Sequence, residues 1–264
     1  MAFRLVVVGG GKMGSALVGG LVAAGWAPAA ELAVVEALAG RRQQLDAELP
    51  GVAVTEAVPA ADGAVVAVKP DDVDGACAAL AEAGIRRVLS IAAGVTLARL
   101  QAALGDEAAV VRAMPNTPAV VGCGAAAIAA GAAAGDDDLD WAEGILSAVG
   151  VVARVPEPLL DAVTGLSGSG PAYVFLVAEA LIDAGVLNGL PRPVSRALAV
   201  QTLLGSARLL SESGSTPEEL RAAVTSPGGT TAAGLRALEA AAVRAALLDA
   251  VTAATARSRE LGRA

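Results

Sequence analysis

A short apolar run, Leu5-Val-Val-Val8, ends directly in Gly9-x-Gly11-x-x-Gly14 and then passes into a helical pattern, and no other stretch restricts the fold so strongly. In a strand–turn–helix each of these glycines has its own task. Gly9 permits the tight turn, Gly11 lets backbone approach a pyrophosphate, and Gly14 lets the helix pack close to the strand. The helix N-terminus presents unpaired amides and a positive dipole end to phosphate, and Lys12 and Met13, between the second and third glycines, are candidate contacts. Alone, such a motif is weak in an Ala/Gly-rich chain. Its setting strengthens it, because Glu36 stands 22 residues beyond Gly14, where a carboxylate can bond ribose hydroxyls. Dinucleotide binding is favoured over an ordinary glycine-rich turn.

Downstream of the motif the chain alternates between strand-like and helix-like segments. Apolar runs at Leu5–Val8, Leu32–Val35, Ala64–Val68, Val88–Ile91 and Val110–Arg112 are separated by polar, helix-compatible stretches. Continuous runs of this kind are how buried parallel strands read. Two further β-type segments, Gly124–Ala129 and Val149–Val155, extend the sheet at an edge, and Pro156 with Pro158 marks a boundary. From Leu159 onward no strand pattern is found. Apolar i, i+3, i+4 spacing runs through Pro171–Ala184, Pro193–Leu210, Thr216–Val224 and Thr231–Leu261, with proline at three expected helix starts. The expected architecture is α/β: a Rossmann-type doubly wound sheet over residues 1–156, then an all-helical domain over 157–264. Several of those helices are apolar on more of their circumference than one core contact can bury, which points to a subunit interface.

With 264 residues the chain can hold two domains and a substantial core. Hydrophobic residues make up 55% but aromatics only 2%, so that core is built from Ala, Val and Leu. A net charge of −8 argues against nucleic acid or an anionic membrane as partner. Cys77 and Cys123 offer neither a disulfide framework nor metal spacing. The opening apolar run is too short for a signal peptide and Ala125–Ala134 too short for a membrane span, so a soluble cytoplasmic protein with no bound metal is expected. The chain has no histidine. Ser-His-Asp hydrolysis, His-dependent hydroxy-acid dehydrogenation and most zinc sites are thereby excluded.

Ligands of doubly wound sheets bind at the carboxyl ends of the strands. Three segments fall there: Val68-Lys69-Pro70, Ala92-Ala93-Gly94 and Met114-Pro-Asn116-Thr-Pro118. Lys69 either neutralises phosphate or bonds a ribose, or is a solvated residue at a helix start. Asn116 either places its amide near a nicotinamide or caps its turn. The helical half adds Leu166-Ser-Gly-Ser-Gly-Pro-Ala-Tyr173, which fails the spacing of a nucleophile elbow, and Thr225-Ser-Pro-Gly-Gly-Thr-Thr231. In the second, two glycines let amides converge and two threonines add hydroxyls at a helix N-terminus. That is either an anion site without a charged side chain or a plain helix cap.

Taken together, these segments resemble the pyrroline-5-carboxylate reductase family along nearly the whole chain. The most specific parts are Asp161-Ala-Val-Thr-Gly-Leu-Ser-Gly-Ser-Gly-Pro-Ala-Tyr173 and Val224-Thr-Ser-Pro-Gly-Gly-Thr-Thr231, with Gly9–Gly14, Ala67–Pro70, Ala92–Val95 and Met114–Pro118 in order and spacing. The resemblance implies reduction of L-1-pyrroline-5-carboxylate to L-proline, the final step of proline synthesis, with NADP(H) and/or NAD(H) as cofactor. Cofactor contacts would be Gly9, Gly11, Lys12, Met13, Gly14, Glu36, Val68, Lys69, Ala93 and Asn116. Substrate would meet Glu157, Ser226, Gly228, Gly229, Thr230 and Thr231, with Thr231 near the ring nitrogen as the catalytic residue. The resemblance also implies a homodimer of interleaved helical domains, often built into decamers. A protonated imine is already electrophilic, which agrees with a chain lacking histidine.

Two departures from the family pattern stand out. Leu238-Glu-Ala-Ala-Ala-Val-Arg244 has alanines where the family commonly has a glycine pair. Glu36 occupies the ribose position with a carboxylate that should repel a 2′-phosphate, although Arg41 and Arg42 follow and could compensate. The competing readings are another imine or carbonyl reductase of the same architecture and a non-catalytic NAD(P)-sensing protein. A sensor has no need of the second anion pocket.

Overall fold

The apolar runs become a single sheet because each is short, β-branched and bounded by turn residues. The computed structural model describes residues 2–262; the outer ends of the two expected domains, Met1 and Ala264, lie outside the described residues. The strands are β1 (Leu5–Val8), β2 (Leu32–Val35), β3 (Ala53–Thr55), β4 (Ala64–Val66), β5 (Arg87–Ser90), β6 (Ala109–Met114), β7 (Gly124–Ala130) and β8 (Gly150–Arg154). Their order is β3-β2-β1-β4-β5-β6-β7-β8. The first six are parallel, with Leu5 opposite Leu32 and Val6 opposite Ala64. That arrangement is the doubly wound order of dinucleotide-binding sheets. Strand β7 runs antiparallel to β6, and β8 runs parallel to β7 at the edge. Strand β3 has no counterpart among the expected runs. It is three half-buried residues at the other edge, too short to show a period.

Alternate residues of the central strands feed two cores. Val6, Val8, Ala33, Val66, Val88 and Val110 face α3 (Val73–Glu82) and α4 (Leu97–Leu104), which contribute Val73, Cys77, Leu80, Leu100 and Leu104. Leu5, Val7, Val34, Val65, Leu89 and Val111 face α1 (Lys12–Ala23), α2 (Ala39–Glu48) and α5 (Asp136–Leu146), which contribute Leu17, Leu21, Leu45 and Ile145. Burial pushes the Cys77 thiol up to about 11, so it packs as a small apolar side chain.

After β8 the chain is helical: α6 (Leu160–Val163), a π-type turn at Thr164–Gly168, α7 (Gly170–Leu187), α8 (Arg192–Glu212), α9 (Pro217–Ala223), α10 (Thr230–Ala240) and α11 (Val243–Leu261). Two compact units result, one of Met1–Ser169 with Thr252–Ala264 and one of Gly170–Val251. The division into compact units falls at Ser169/Gly170, and Leu160, at the start of the helical half, is buried in the sheet's core. The end of α11 belongs to the same unit, where the Ser258 hydroxyl donates to Asp161 at 2.6 Å.

The stretch expected as one helix over Thr231–Leu261 is two. It breaks at Ala241–Ala242, where Ala242 has φ +55°, the only positive φ outside glycine among the described residues. The break sits in the alanines that depart from the family's glycine pair. No turn residue announces it, and a run of alanines reads as unbroken helix. A left-handed alanine costs roughly 1–2 kcal/mol, while glycine there would add about 0.4–1 kcal/mol of unfolded-state entropy. Ala242→Gly should therefore stabilise the protein slightly, by up to ~1 kcal/mol. A denaturant-unfolding midpoint that is unchanged or lowered would show that the turn is unstrained.

Candidate active site

The turn between β1 and α1 is built by close approach. Gly9 has φ +111°, and a Cβ there would lie 2.6 Å from the Ala67 carbonyl oxygen. A Cβ on Gly14 would drive into the Gly9 carbonyl oxygen, so the first turn of α1 lies directly on the end of β1. By contrast a Cβ on Gly11 would meet nothing within 4 Å. Gly11 is the N-cap of α1, in extended conformation, and its carbonyl accepts from the Ser15 amide at 2.9 Å. Helix geometry leaves the amides of Lys12, Met13 and Gly14 without partners in the helix. They open beside the exposed Gly11, where an anion can reach them.

Beyond this turn the carboxyl ends of β1, β2 and β4 enclose a groove of about 570 Å3, lined by Gly9, Gly11, Glu36, Val68 and Lys69 together with Glu56 and Asp72. Five of the sequence-predicted cofactor residues are thus brought together. Lys12, with Gly11, also lines a separate groove along α1, while Met13 is half-buried against the core on that face. Ala93 lines a third cavity with Pro70, Gly94, Thr164 and Ser169, so the turn after β5 and the serine-glycine segment meet within the first unit. Lys69 and Pro70, adjacent in the chain, line one cavity each.

Glu36 is held across the turn. One carboxylate oxygen accepts from the Gly10 amide at 3.2 Å and the other from the Leu38 amide at 2.9 Å. Asn116 is a buried strut: its amide nitrogen donates to the Ser167 carbonyl at 3.0 Å, and its amide oxygen accepts from the Ala125 backbone at 2.8 Å. It joins the double-proline turn to β7 and to the π-type turn. Glu157 is anchored too, one oxygen accepting from the Leu97 amide at 2.7 Å and from the Arg112 guanidinium at 2.8 Å. It therefore caps α4 and pairs with an arginine that is 8% exposed. Arg112 escaped the sequence reading, although a charge inside the run Val-Val-Arg-Ala-Met is itself a signal that a buried partner exists.

The other predicted substrate residues lie in the second unit. Gly228 has φ +71°, Gly229 is the N-cap of α10, and the Gly229 amide donates to the Ser226 carbonyl at 3.1 Å. A Cβ on Gly229 would collide with the Ser226 hydroxyl. Thr230 and Thr231 are the first two residues of the helix. Their amides and that of Ala232 have no partner within the helix, since the Ala233 amide makes the first such bond, to Gly229. The loop therefore opens the helix with three backbone amides, the arrangement in which backbone alone can take an anion.

Comparison with known proteins agrees with both halves. Residues 157–261 match the family described as pyrroline-5-carboxylate reductase dimerisation, and residues 4–94 match NADP oxidoreductase, coenzyme F420-dependent. The pyrroline-5-carboxylate reductase of Synechocystis is 47% identical, with all of both chains covered, and that of Methanosarcina acetivorans is 43% identical over 98% of each. Among solved structures, a pyrroline-5-carboxylate reductase from Coxiella burnetii has a TM-score of 0.92 at 36% identity over 99% of both chains. The enzyme from Plasmodium falciparum, solved with NADP bound, has a TM-score of 0.85 at 31% identity over 98% of both. With the glycine turn, the glycine–threonine loop that opens α10 and full-length likeness all in agreement, the chain belongs to the pyrroline-5-carboxylate reductase family.

Proposed function

We propose that the protein reduces L-1-pyrroline-5-carboxylate to L-proline with NADH or NADPH, the last step of proline synthesis. Full-length kinship with pyrroline-5-carboxylate reductases carries this reading. Residues 1–156 serve the dinucleotide and residues 157–264 the substrate and the partner subunit. A dinucleotide suits the residues present: the turn is open at Gly11, and a groove leads from it to Glu36. When bound, the reduced nicotinamide supplies hydride.

Gly9, Gly11, Lys12, Met13 and Gly14 hold the pyrophosphate, and Glu36 takes the adenosine ribose. Val68, Lys69 and Ala93 line the way towards the nicotinamide, while Asn116 acts by fixing the turn it braces. On the substrate side the amides around Gly228–Thr231 take the carboxylate, with Ser226 beside them, and the Thr231 hydroxyl bonds the ring nitrogen; Glu157 is a further substrate contact. These groups bind and orient. The electrophile is already activated once the imine is protonated, and orientation alone can account for a large part of the barrier.

A homodimer completes the proposal. Among the described residues of the second unit only Ser195 is buried, while Phe175, Leu176 and Leu198 are 63%, 65% and 56% exposed. The helical segment Glu157–Leu187 is long and apolar enough, by length and composition, to cross a membrane. The dimerisation-family match over 157–261 favours a second copy as its cover; a cytoplasmic location and decamers as a further assembly are part of the same proposal.

Purified protein should oxidise NAD(P)H with pyrroline-5-carboxylate and release proline, in the presence of chelators as well; no turnover with either cofactor would remove the assignment. Thr231→Ala should lower kcat by about tenfold to a hundredfold, the equivalent of one lost hydrogen bond of ~1–3 kcal/mol, and leave cofactor affinity intact. Unchanged kinetics would reduce Thr231 to a helix-opening residue. Light scattering at micromolar concentration without detergent should report a dimer or larger, and a fully active monomer would contradict the covered-face argument.

A further inference from the structure

The two arginines that follow Glu36 are already spent. The Arg41 Nε donates to the Gly10 carbonyl at 2.8 Å, and its two terminal nitrogens take both oxygens of Glu48 at 2.7 and 3.0 Å. The pairing holds Arg41 above its ordinary pKa and Glu48 below the usual carboxylate range. Arg41 and Glu48 both line the groove along α1 and Glu36 lines the other, although Glu36 is near enough to add to the rise in the Arg41 pKa behind the Glu48 pairing. Arg42 donates to the carbonyls of Glu36 and Ala37 at 2.8 and 2.7 Å and pairs with Glu56 at 3.0 Å. Neither arginine is among the residues lining the Glu36 groove, whereas Glu36, Glu56 and Asp72 all are, against one lysine, Lys69.

We propose that this chain selects NADH over NADPH, with Glu36 as the specificity-determining residue and Arg41 and Arg42 unable to offset it. The inference rests on the dinucleotide-binding role proposed for the glycine turn. Glu36 is fixed by the Gly10 and Leu38 amides, so its charge stays at the end of β2 where the adenosine ribose belongs. A carboxylate accepts from ribose hydroxyls. It repels a 2′-phosphate, and like charges brought together at a binding site are costly. A phosphate could recruit Arg42 only by breaking its pair with Glu56 and its two carbonyl bonds, and could recruit Arg41 only by breaking a two-pronged pair.

The test is direct binding of NADH and NADPH to the full-length protein, by calorimetry or by the fluorescence of the reduced cofactor, alongside the kcat/KM ratio. The expected result is NADH tighter by at least about tenfold, with AMP competing better than adenosine 2′,5′-bisphosphate. Glu36→Gln removes the charge and keeps an acceptor for one of the two amides; it should shrink the NADH preference, and Glu36→Ser should shrink it further. Wild-type protein that binds NADPH as tightly as NADH overturns the inference, as does a preference unmoved in both variants. Binding of neither cofactor to the wild type overturns the reductase reading and this inference with it; equal binding of both overturns only the inference.

Discussion

The contact of α1 with the end of β1, where Gly14 lies on the Gly9 carbonyl, sets the position of everything at the carboxyl edge of the sheet. A side chain at Gly14 would push helix and strand apart, and one at Gly9 would collide with the Ala67 carbonyl beyond β4. With both absent, the Gly9 amide donates to Val35 and the Ala67 amide to Val8, each at 2.8 Å, so that β2 and β4 are locked to either side of the turn. The groove lies at the ends of these strands, lined by Val8 and Gly9, by Val35 and Glu36, and by Ala67 and Val68. The Glu36 carboxylate closes it by reaching back to Gly10. The amides that open α1, the anchored Glu36 carboxylate and the tight packing are consequences of one glycine spacing, not separate features.

Charged side chains serve two purposes in the first unit, and the distinction matters for reading the site. The family resemblance makes Glu157 a substrate contact, yet its bonds to Leu97 and Arg112 tie α4, β6 and the start of the helical half together. Leaving the Arg112 guanidinium unpaired at 8% exposure would carry a desolvation cost, so the pair must be kept whatever else Glu157 does. Asn116 is similar: both ends of its amide are used to brace three segments. Residues beside a cofactor path contribute by rigidity as readily as by contact, and a fixed path is what orientation-dominated chemistry requires.

How much of this was legible in the sequence depends on which interactions are local. Strands β1, β2, β4, β5 and β6 were readable as continuous apolar runs because both their faces are buried, and β7 and β8 were readable as edge segments. Strand β3 was not, since three half-buried residues carry no period. The break at Ala242 was hidden because alanine adopts the left-handed conformation there without any turn residue beside it. The glycine turn in the first unit and the Thr230–Thr231 helix start in the second were each local patterns and could be read. The partners of Arg41, Arg42, Asn116 and Glu157 were not, being set by which loops the sheet order places side by side. Sequence alone offered Arg41 and Arg42 as counterions for a phosphate; only the placement of Glu48 and Glu56 shows where their charge goes.

The two units draw their stability from different places. The sheet unit has two cores, fed by alternate residues of the same strands and sealed by helices on both faces, and it can account for its own folding. Helices α7 and α8 have no buried large apolar residue. Such a unit cannot offset its conformational entropy by burial within one chain. Apart from Tyr173 and Phe175, the unit's apolar area comes mainly from Ala, Val and Leu side chains, which give closely approaching helix surfaces and become useful only against a matching surface. The second copy proposed above would supply one, and folding of the helical unit and association would then become a single equilibrium that depends on protein concentration. On that view the proposed anion cradle at Gly228–Thr231, which opens a helix in this unit, is held in shape by assembly, whereas the glycine turn of the first unit is held by the chain alone.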